Sequence, residues 1–186
     1  MSDTLADEPT QGAATVHRAV AGEEAAFERL VADHHAAMAR VAYVVCGDAE
    51  TTRDAVQSAW SQAWRRIGSV RRPEQIRSWL VAIAANEARQ AVRRRRRRAV
   101  VEIPLAVDHS GDTDPTDGIG LLDLARVLRG LKPDDRVLLA LRYEAGLDST
   151  EIAERLGLSA SGVRSRLARL IERLRTDLAL DPETGP

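Results

Sequence analysis

From position 55 to 67 the apolar residues Ala55, Val56, Ala59, Trp60, Ala63, Trp64 and Ile67 recur at alternating steps of one and three, the mark of one helix face. Phe27, Leu30, Val31, Met38, Val41, Ala42 and Val45 also follow a helical period, as do Ile76, Trp79, Leu80, Ile83 and Ala84. Leu121, Leu124, Ala125, Leu128 and Leu131 form a further stripe, followed by Val137, Leu138 and Leu141. No segment alternates with period two for long, so half-buried sheets are excluded and the fold class is all-α.

Local signals divide this pattern into elements. Gly47 is placed to stop a helix and Asp48 to cap the next, Gly68 ends that one, and Pro73 suits a first helical turn. Residues 1–20 are small and polar with no sustained period, and a mobile tail is expected there, with a second short tail over 181–186. Residues 99–120, rich in Asp, Gly and Pro, read as a flexible linker. The expected organisation is therefore two small helical domains, a three-helix bundle over 21–98 and a four-helix unit over 121–180, joined by an acidic tether.

Charge is distributed unevenly. The net charge is -1, from 27 basic and 28 acidic residues, which by itself argues against a nucleic-acid binder. Yet residues 51–100 hold 13 basic and 3 acidic groups, including six consecutive arginines, Arg93 to Arg98. Every cation but Lys132 is arginine, the residue better suited to two-pronged contact with phosphate and guanine.

The lone cysteine, Cys46, rules out internal disulfides and cysteine-cluster metal sites. No stretch nears the roughly 18 apolar residues of a spanning helix, and the acidic start lacks the features of a signal peptide, so a cytoplasmic protein without membrane insertion is expected. His34 falls on an apolar stripe, His35 beside it, and His17 and His109 in segments read as mobile, so no metal, cofactor or acid–base pair is assigned and an enzyme is not expected.

Residues 149–170, STEIAERLGLSASGVRSRLARL, have the spacing of a helix-turn-helix. Ala153 is small where two helices cross, Gly157 can take the left-handed turn, Leu158 can fill the corner, and Ser159 can cap the second helix. Val163, Leu167, Leu170, Ile171, Leu174 and Leu178 make its core stripe, and the arginines lie mostly off it. Since the early residues of such a helix enter the major groove, Ser161, Arg164, Ser165 and Arg166 are the expected base readers, with Arg169 on phosphate. A merely solvated arginine-rich face is the bland alternative.

Taken together, the two halves resemble a bacterial RNA polymerase sigma factor of the extracytoplasmic-function type, which contains only the second and fourth sigma regions. Residues 54–64 (DAVQSAWSQAW) resemble the family's polymerase-binding helix, residues 77–98 its promoter-melting helix, and residues 141–167 its fourth-region helix-turn-helix. The resemblance implies that Asp54, Gln57, Ser58 and Ser61 face the clamp helices of the polymerase beta-prime subunit, with Ser58 replacing a frequently acidic residue. It implies that Ser69, Val70, Arg71 and Arg72 receive a base flipped from the non-template strand, at a cost of a few kcal/mol in lost stacking. Arg77, Asn86 and Arg89 would join them at minus-ten DNA, with Ala85 where a basic residue is common. Arg93, Arg94, Arg96 and Arg97 would meet the duplex backbone, and the helix-turn-helix the minus-thirty-five element.

The implied partners are core RNA polymerase through the beta-prime clamp helices and the beta flap, promoter DNA in duplex and single-stranded form, and an anti-sigma factor. The implied state is a monomer within the holoenzyme. Trp60, Trp64 and Trp79 are read as core, with base stacking as the alternative. The acidic tether either occupies the polymerase's nucleic-acid channels or only keeps the halves connected and soluble. Two rivals stand beside this reading: a dimeric helix-turn-helix repressor, which leaves the N-terminal bundle unexplained, and a protein-interaction module whose arginines meet acidic protein.

Overall fold

The computed structural model describes residues 8–101 and 127–179, and within them every regular element is helical. The order is α1 (Glu8–Val20), α2 (Glu24–Cys46), α3 (Ala49–Arg66), α4 (Ile76–Val101), α5 (Pro133–Leu139), α6 (Ser149–Leu156) and α7 (Ala160–Ala179). Short 3₁₀ turns at Ile67–Ser69 and Pro73–Gln75 lead into α4. A further helical turn covers 127–130.

The N-terminal half is built around α4, which packs against both α2 and α3. Leu80, Val81, Ala84, Ala85 and Ala88 are fully buried, so for two turns this helix is covered on nearly every side. Small alanine side chains let the neighbouring axes approach closely, and Leu30, Met38, Val41 and Val45 of α2 fill the space between them. Complete burial of Ala85 gives a physical reason for the absence of a basic side chain there. Beyond Val92 the helix leaves the core, and Arg93 to Arg98 are exposed.

Sequence signals set the α2–α3 corner. Gly47 adopts φ +79°, a left-handed conformation that terminates α2, and its N–H donates to the Tyr43 carbonyl. Asp48 then caps α3 by accepting from the Thr51 N–H at 2.8 Å.

The N-terminal expectation needs correction. Residues 8–20, read as a mobile tail, form α1, with Val16 fully buried and Ala19 nearly so against α2 and the Pro73–Gln75 turn. Arg18 pairs with Glu23 across the bend into α2. The apolar contact is only one residue deep per turn, too sparse to register as a stripe.

In the C-terminal half, α5 runs into a π-helical turn, Ala140–Glu144, that ends at Gly146 with φ +74°. Such wide turns re-aim the backbone. Leu131, Val137, Leu138, Leu141, Ile152 and Val163 form the packing centre, and Leu167, Leu170 and Leu174 extend it along α7. Its buried residues are continuous with those of the N-terminal half, α5 lying against both α2 and α4. The expected tether begins within α4, which continues to Val101; positions 102–126, with Leu121, Leu124 and Ala125, lie outside the described residues, as do 1–7 and 180–186.

Candidate nucleic-acid interface

On α3, Asp54, Gln57 and Ser61 are exposed and Ser58 is partly covered. Positions 57, 58 and 61 share one face because three and four residues complete a helical turn. They border a polar depression with Gln62, Arg65 and Glu87. Asp54, one turn earlier on the same face, borders a neighbouring hollow with Arg94, Arg95 and Arg98. Gln57 and Ser61 also edge a groove of about 970 Å³ between α2 and α3, floored by Val31, Val44, Val56 and Trp60 and rimmed by Arg40 and Arg53. The sequence reading missed this groove. Its signal was Tyr43, an aromatic residue next to the α2 stripe and half exposed in the fold.

The tryptophans are less buried than expected. Trp60 and Trp79 are partly covered, and Trp64 is 46% exposed. Phe27 meets Trp60 and Trp64 edge-on, with ring centroids 5.7 and 4.7 Å apart, which supports α3 at the margin of the core. Trp60 donates its indole N–H to Nδ1 of His35 at 3.3 Å. His34 is half-buried, and desolvation lowers its pKa, partly offset by Asp33.

Ser69, Val70, Arg71 and Arg72 gather around one hollow of about 510 Å³ with Arg66, Gln75 and Trp79, as the sequence reading grouped them. Glu154 and Arg155 of α6 complete its wall. Arg155 Nη2 donates to Gln75 Oε1 at 2.9 Å and to Ser78 Oγ at 3.1 Å, so the helix-turn-helix leans directly on this hollow.

The α4 residues assigned to DNA also meet the C-terminal half. Arg77 Nη1 donates to the Ala145 carbonyl at 2.7 Å, and Arg89 and Arg93 both approach Asp134. Asn86 is partly buried. Arg95, absent from the expected backbone set, pairs with the α3 cap Asp48 at 2.6 Å, whereas Arg94, Arg96 and Arg97 project into solvent. Across the same interface Arg40 pairs with Glu144, and Arg136 is 3% exposed near the end of α2. Burial lowers the Arg136 pKa, and repulsion from Arg96 adds to it.

The helix-turn-helix has the expected joints with one exception. Gly157 adopts φ +67°, Ala153 is buried, and Ser159 Oγ accepts from the Gly162 N–H at 3.1 Å. Leu158, expected to fill the corner, is 47% exposed, and the buried side chains nearby on the two helices are Ile152 and Val163. Asp148 and Glu151 make a reciprocal capping box on α6 that the sequence reading passed over, although D-x-x-E is its signature. On α7, Ser161, Arg164, Ser165 and Arg169 are exposed. Arg166 instead turns back to Asp135 of α5 at 2.7 Å, departing from a base-reading placement.

Two family models match the chain: sigma-70 region 2 over residues 30–98 and sigma-70 region 4 over residues 121–174. The chain is 32% identical over 174 residues to ECF RNA polymerase sigma factor SigL of Mycobacterium tuberculosis, covering 89% of this chain and 96% of that one. It is 29% identical over 168 residues to the probable RNA polymerase sigma factor RfaY of Xanthomonas campestris, spanning 86% of this chain and 42% of that longer protein. Among solved structures it resembles CnrH in complex with the cytosolic domain of CnrY, with a TM-score of 0.69, 26% identity and coverage of 91% of this chain and 98% of that one.

Proposed function

Because the chain belongs to the sigma-70 family, as an RNA polymerase sigma factor of the extracytoplasmic-function type that directs promoter-specific initiation, we propose the following division of labour among its surfaces. Gln57, Ser58 and Ser61, with Asp54 a turn earlier, face the clamp helices of the polymerase beta-prime subunit. The hollow formed by Ser69, Val70, Arg71 and Arg72 takes a base from the opened minus-ten strand, while Arg77, Asn86 and Arg89 follow that strand's path. Arg93, Arg94, Arg96 and Arg97 grip adjacent duplex phosphates. Residues 121–180 contact the beta flap and place α7 on the minus-thirty-five duplex, with Ser161, Arg164 and Ser165 at base edges and Arg169 at phosphate.

The observation that carries this reading is the clustering of residues 69–72 around one hollow beside Trp79, directly before the arginine-bearing helix α4. A loop pocket next to a basic helix can hold an extruded base while the helix holds the strand's backbone. Nucleotidyl transfer belongs to the polymerase. The chain supplies binding that favours the melted state, which shifts the duplex–open equilibrium toward opening. The proposed working state is a monomer within the holoenzyme, in the cytoplasm at the chromosome; among the described residues no helix is long and apolar enough to cross a membrane.

In the packed arrangement Arg77, Arg89 and Arg93 are engaged by the C-terminal half. Strand capture then requires the halves to separate, and core polymerase, with a binding surface for each half, supplies the differential affinity. An anti-sigma partner would act oppositely by covering the α2–α3 groove. The solved relative bound to CnrY supports such a partner.

The test is run-off transcription from a pool of GC-rich promoter fragments with bacterial core polymerase. Specific transcripts are expected only when the chain is present, and their loss on replacing Asp54 and Gln57 would locate the polymerase contact. Protection of a duplex site without polymerase, and no transcription with it, would replace this reading by the repressor.

A further inference from the structure

We infer that Arg166 is a positioning residue of the minus-thirty-five reading helix, and that its partner is Asp135 of this chain and not a base. The inference rests on the proposed placement of α7 on duplex DNA and deepens it.

Arg166 Nε and Nη2 both lie 2.7 Å from Asp135 Oδ1. The Asp135 side chain is only 12% exposed. The Nε–Nη2 edge of the guanidinium is committed to Asp135, which removes the side-on two-pronged guanine contact and leaves only the Nη1–Nη2 end to reach DNA. Breaking the pair would also leave a largely buried carboxylate without its charge partner, a more severe loss than releasing an exposed arginine. Both considerations keep Arg166 on the protein.

The location of the pair explains what it does. Asp135 lies in the first turn of α5, where negative charge is favoured by the helix dipole. Val137, Leu138 and Leu139 anchor that helix in the core. Arg166 lies on α7 between the buried Val163, Leu167 and Leu170, at the edge of the stripe. The ion pair therefore ties the middle of the reading helix to a fixed element and sets the direction in which its exposed face points. Arg164 and Ser165, two positions and one position earlier, remain exposed for base edges, as does Ser161.

The experiment compares Asp135→Asn, Arg166→Ala, Arg166→Lys and Arg164→Ala in the full chain with core polymerase, on promoters randomised across the minus-thirty-five element. Asp135→Asn and Arg166→Ala are expected to lower transcription similarly, about tenfold, for all sequences while keeping their rank order. Arg166→Lys, which retains the ion pair but not a forked base contact, is expected to recover much of that loss with the ranking intact. Arg164→Ala is expected to change the ranking at one base pair.

The inference is overturned if Asp135→Asn is harmless while Arg166→Ala or Arg166→Lys changes which base is preferred. No change of ranking with Arg164→Ala would remove the placement of α7, and this inference with it. A misfolded Asp135→Asn leaves the lysine variant to decide, since that substitution keeps both charges.

Discussion

Arg93 Nη2 donates to both carboxylate oxygens of Asp134, at 3.0 and 2.9 Å, and Arg89 approaches the same carboxylate at 3.5 Å. Two arginines assigned to promoter DNA thus share an acidic partner in the opposite half of the molecule. That carboxylate competes for the same N–H groups a phosphate would use. The Arg93 side chain is 52% exposed, so each pair is worth only about 0–1 kcal/mol.

Asp134→Asn should therefore raise the affinity of the isolated chain for a forked promoter fragment by about two- to fivefold at low salt. Fluorescence anisotropy of labelled DNA measures it. An unchanged affinity would show that Asp134 does not compete with DNA. The holoenzyme, in which the halves are expected to be apart, should respond less.

The α2–α3 corner was legible before the fold because its determinants are local. Gly47 and Asp48 act on backbone within four residues of themselves, and both do what their residue types predict. Helix α1 was not legible for the complementary reason. Its alignment rests on Val16 and Ala19 meeting α2 and a turn more than fifty residues later, and two apolar positions do not make a period.

Val16 gives the measurement for that element. Truncating a fully buried valine to alanine removes two methyl groups, about 1.6 kcal/mol at roughly 0.8 per buried carbon. Val16→Ala should lower the denaturant midpoint of the N-terminal half accordingly. A neutral result would mean that α1 does not hold its place on α2 in solution.

Asp148 accepts from the Thr150 and Glu151 N–H groups at 2.7 and 2.9 Å, and Glu151 returns a bond to the Asp148 N–H at 2.7 Å. Helix α6 has only eight residues, so its first turn is a large share of its hydrogen bonding. Asp148→Ala should destabilise the C-terminal half by about 0.5–2 kcal/mol. Hydrogen exchange should show faster opening of α6 than of α4. Equal protection in both proteins would mean that packing of Ile152 alone holds the helix.

Cys46 is buried under α4, and desolvation pushes its thiol pKa up to about 11. Little thiolate then exists at pH 8, and iodoacetamide should modify the folded protein roughly a hundredfold more slowly than the unfolded chain. The same shift predicts a pH dependence of stability. The unfolded thiol ionises first, near 8.5, so this contribution is complete below that pH and declines as the pH rises toward 11. Rapid labelling of the folded protein at pH 8 would refute the buried, neutral thiol.

Part of the site was hidden for reasons other than weak patterning. Arg166 and Arg164 differ by two positions and have the same chemistry, yet one is held by Asp135 and the other is exposed. The carboxylate that distinguishes them lies 31 residues earlier and does not repeat with any period. Residues 69–72, by contrast, border one hollow together because they are consecutive in the chain.

The arginine run permits a quantitative test of backbone binding, because its members are not equivalent. Arg93 and Arg95 have intramolecular carboxylate partners, Asp134 and Asp48, whereas Arg94, Arg96 and Arg97 are exposed. Each phosphate contact on duplex DNA contributes about 0.9 to the slope of log affinity against log salt, through released counterions. Neutralising Arg96 and Arg97 together should therefore lower the magnitude of the slope by about 1.8, measured by titrating holoenzyme on a fixed promoter at several salt concentrations. Base preference should stay the same, since phosphate contacts carry no sequence information. Neutralising Arg95 should change the slope less and stability more, because its first role is to hold the cap of α3. If all three substitutions leave the slope untouched, the run is a solvated helix end and the duplex contact lies elsewhere.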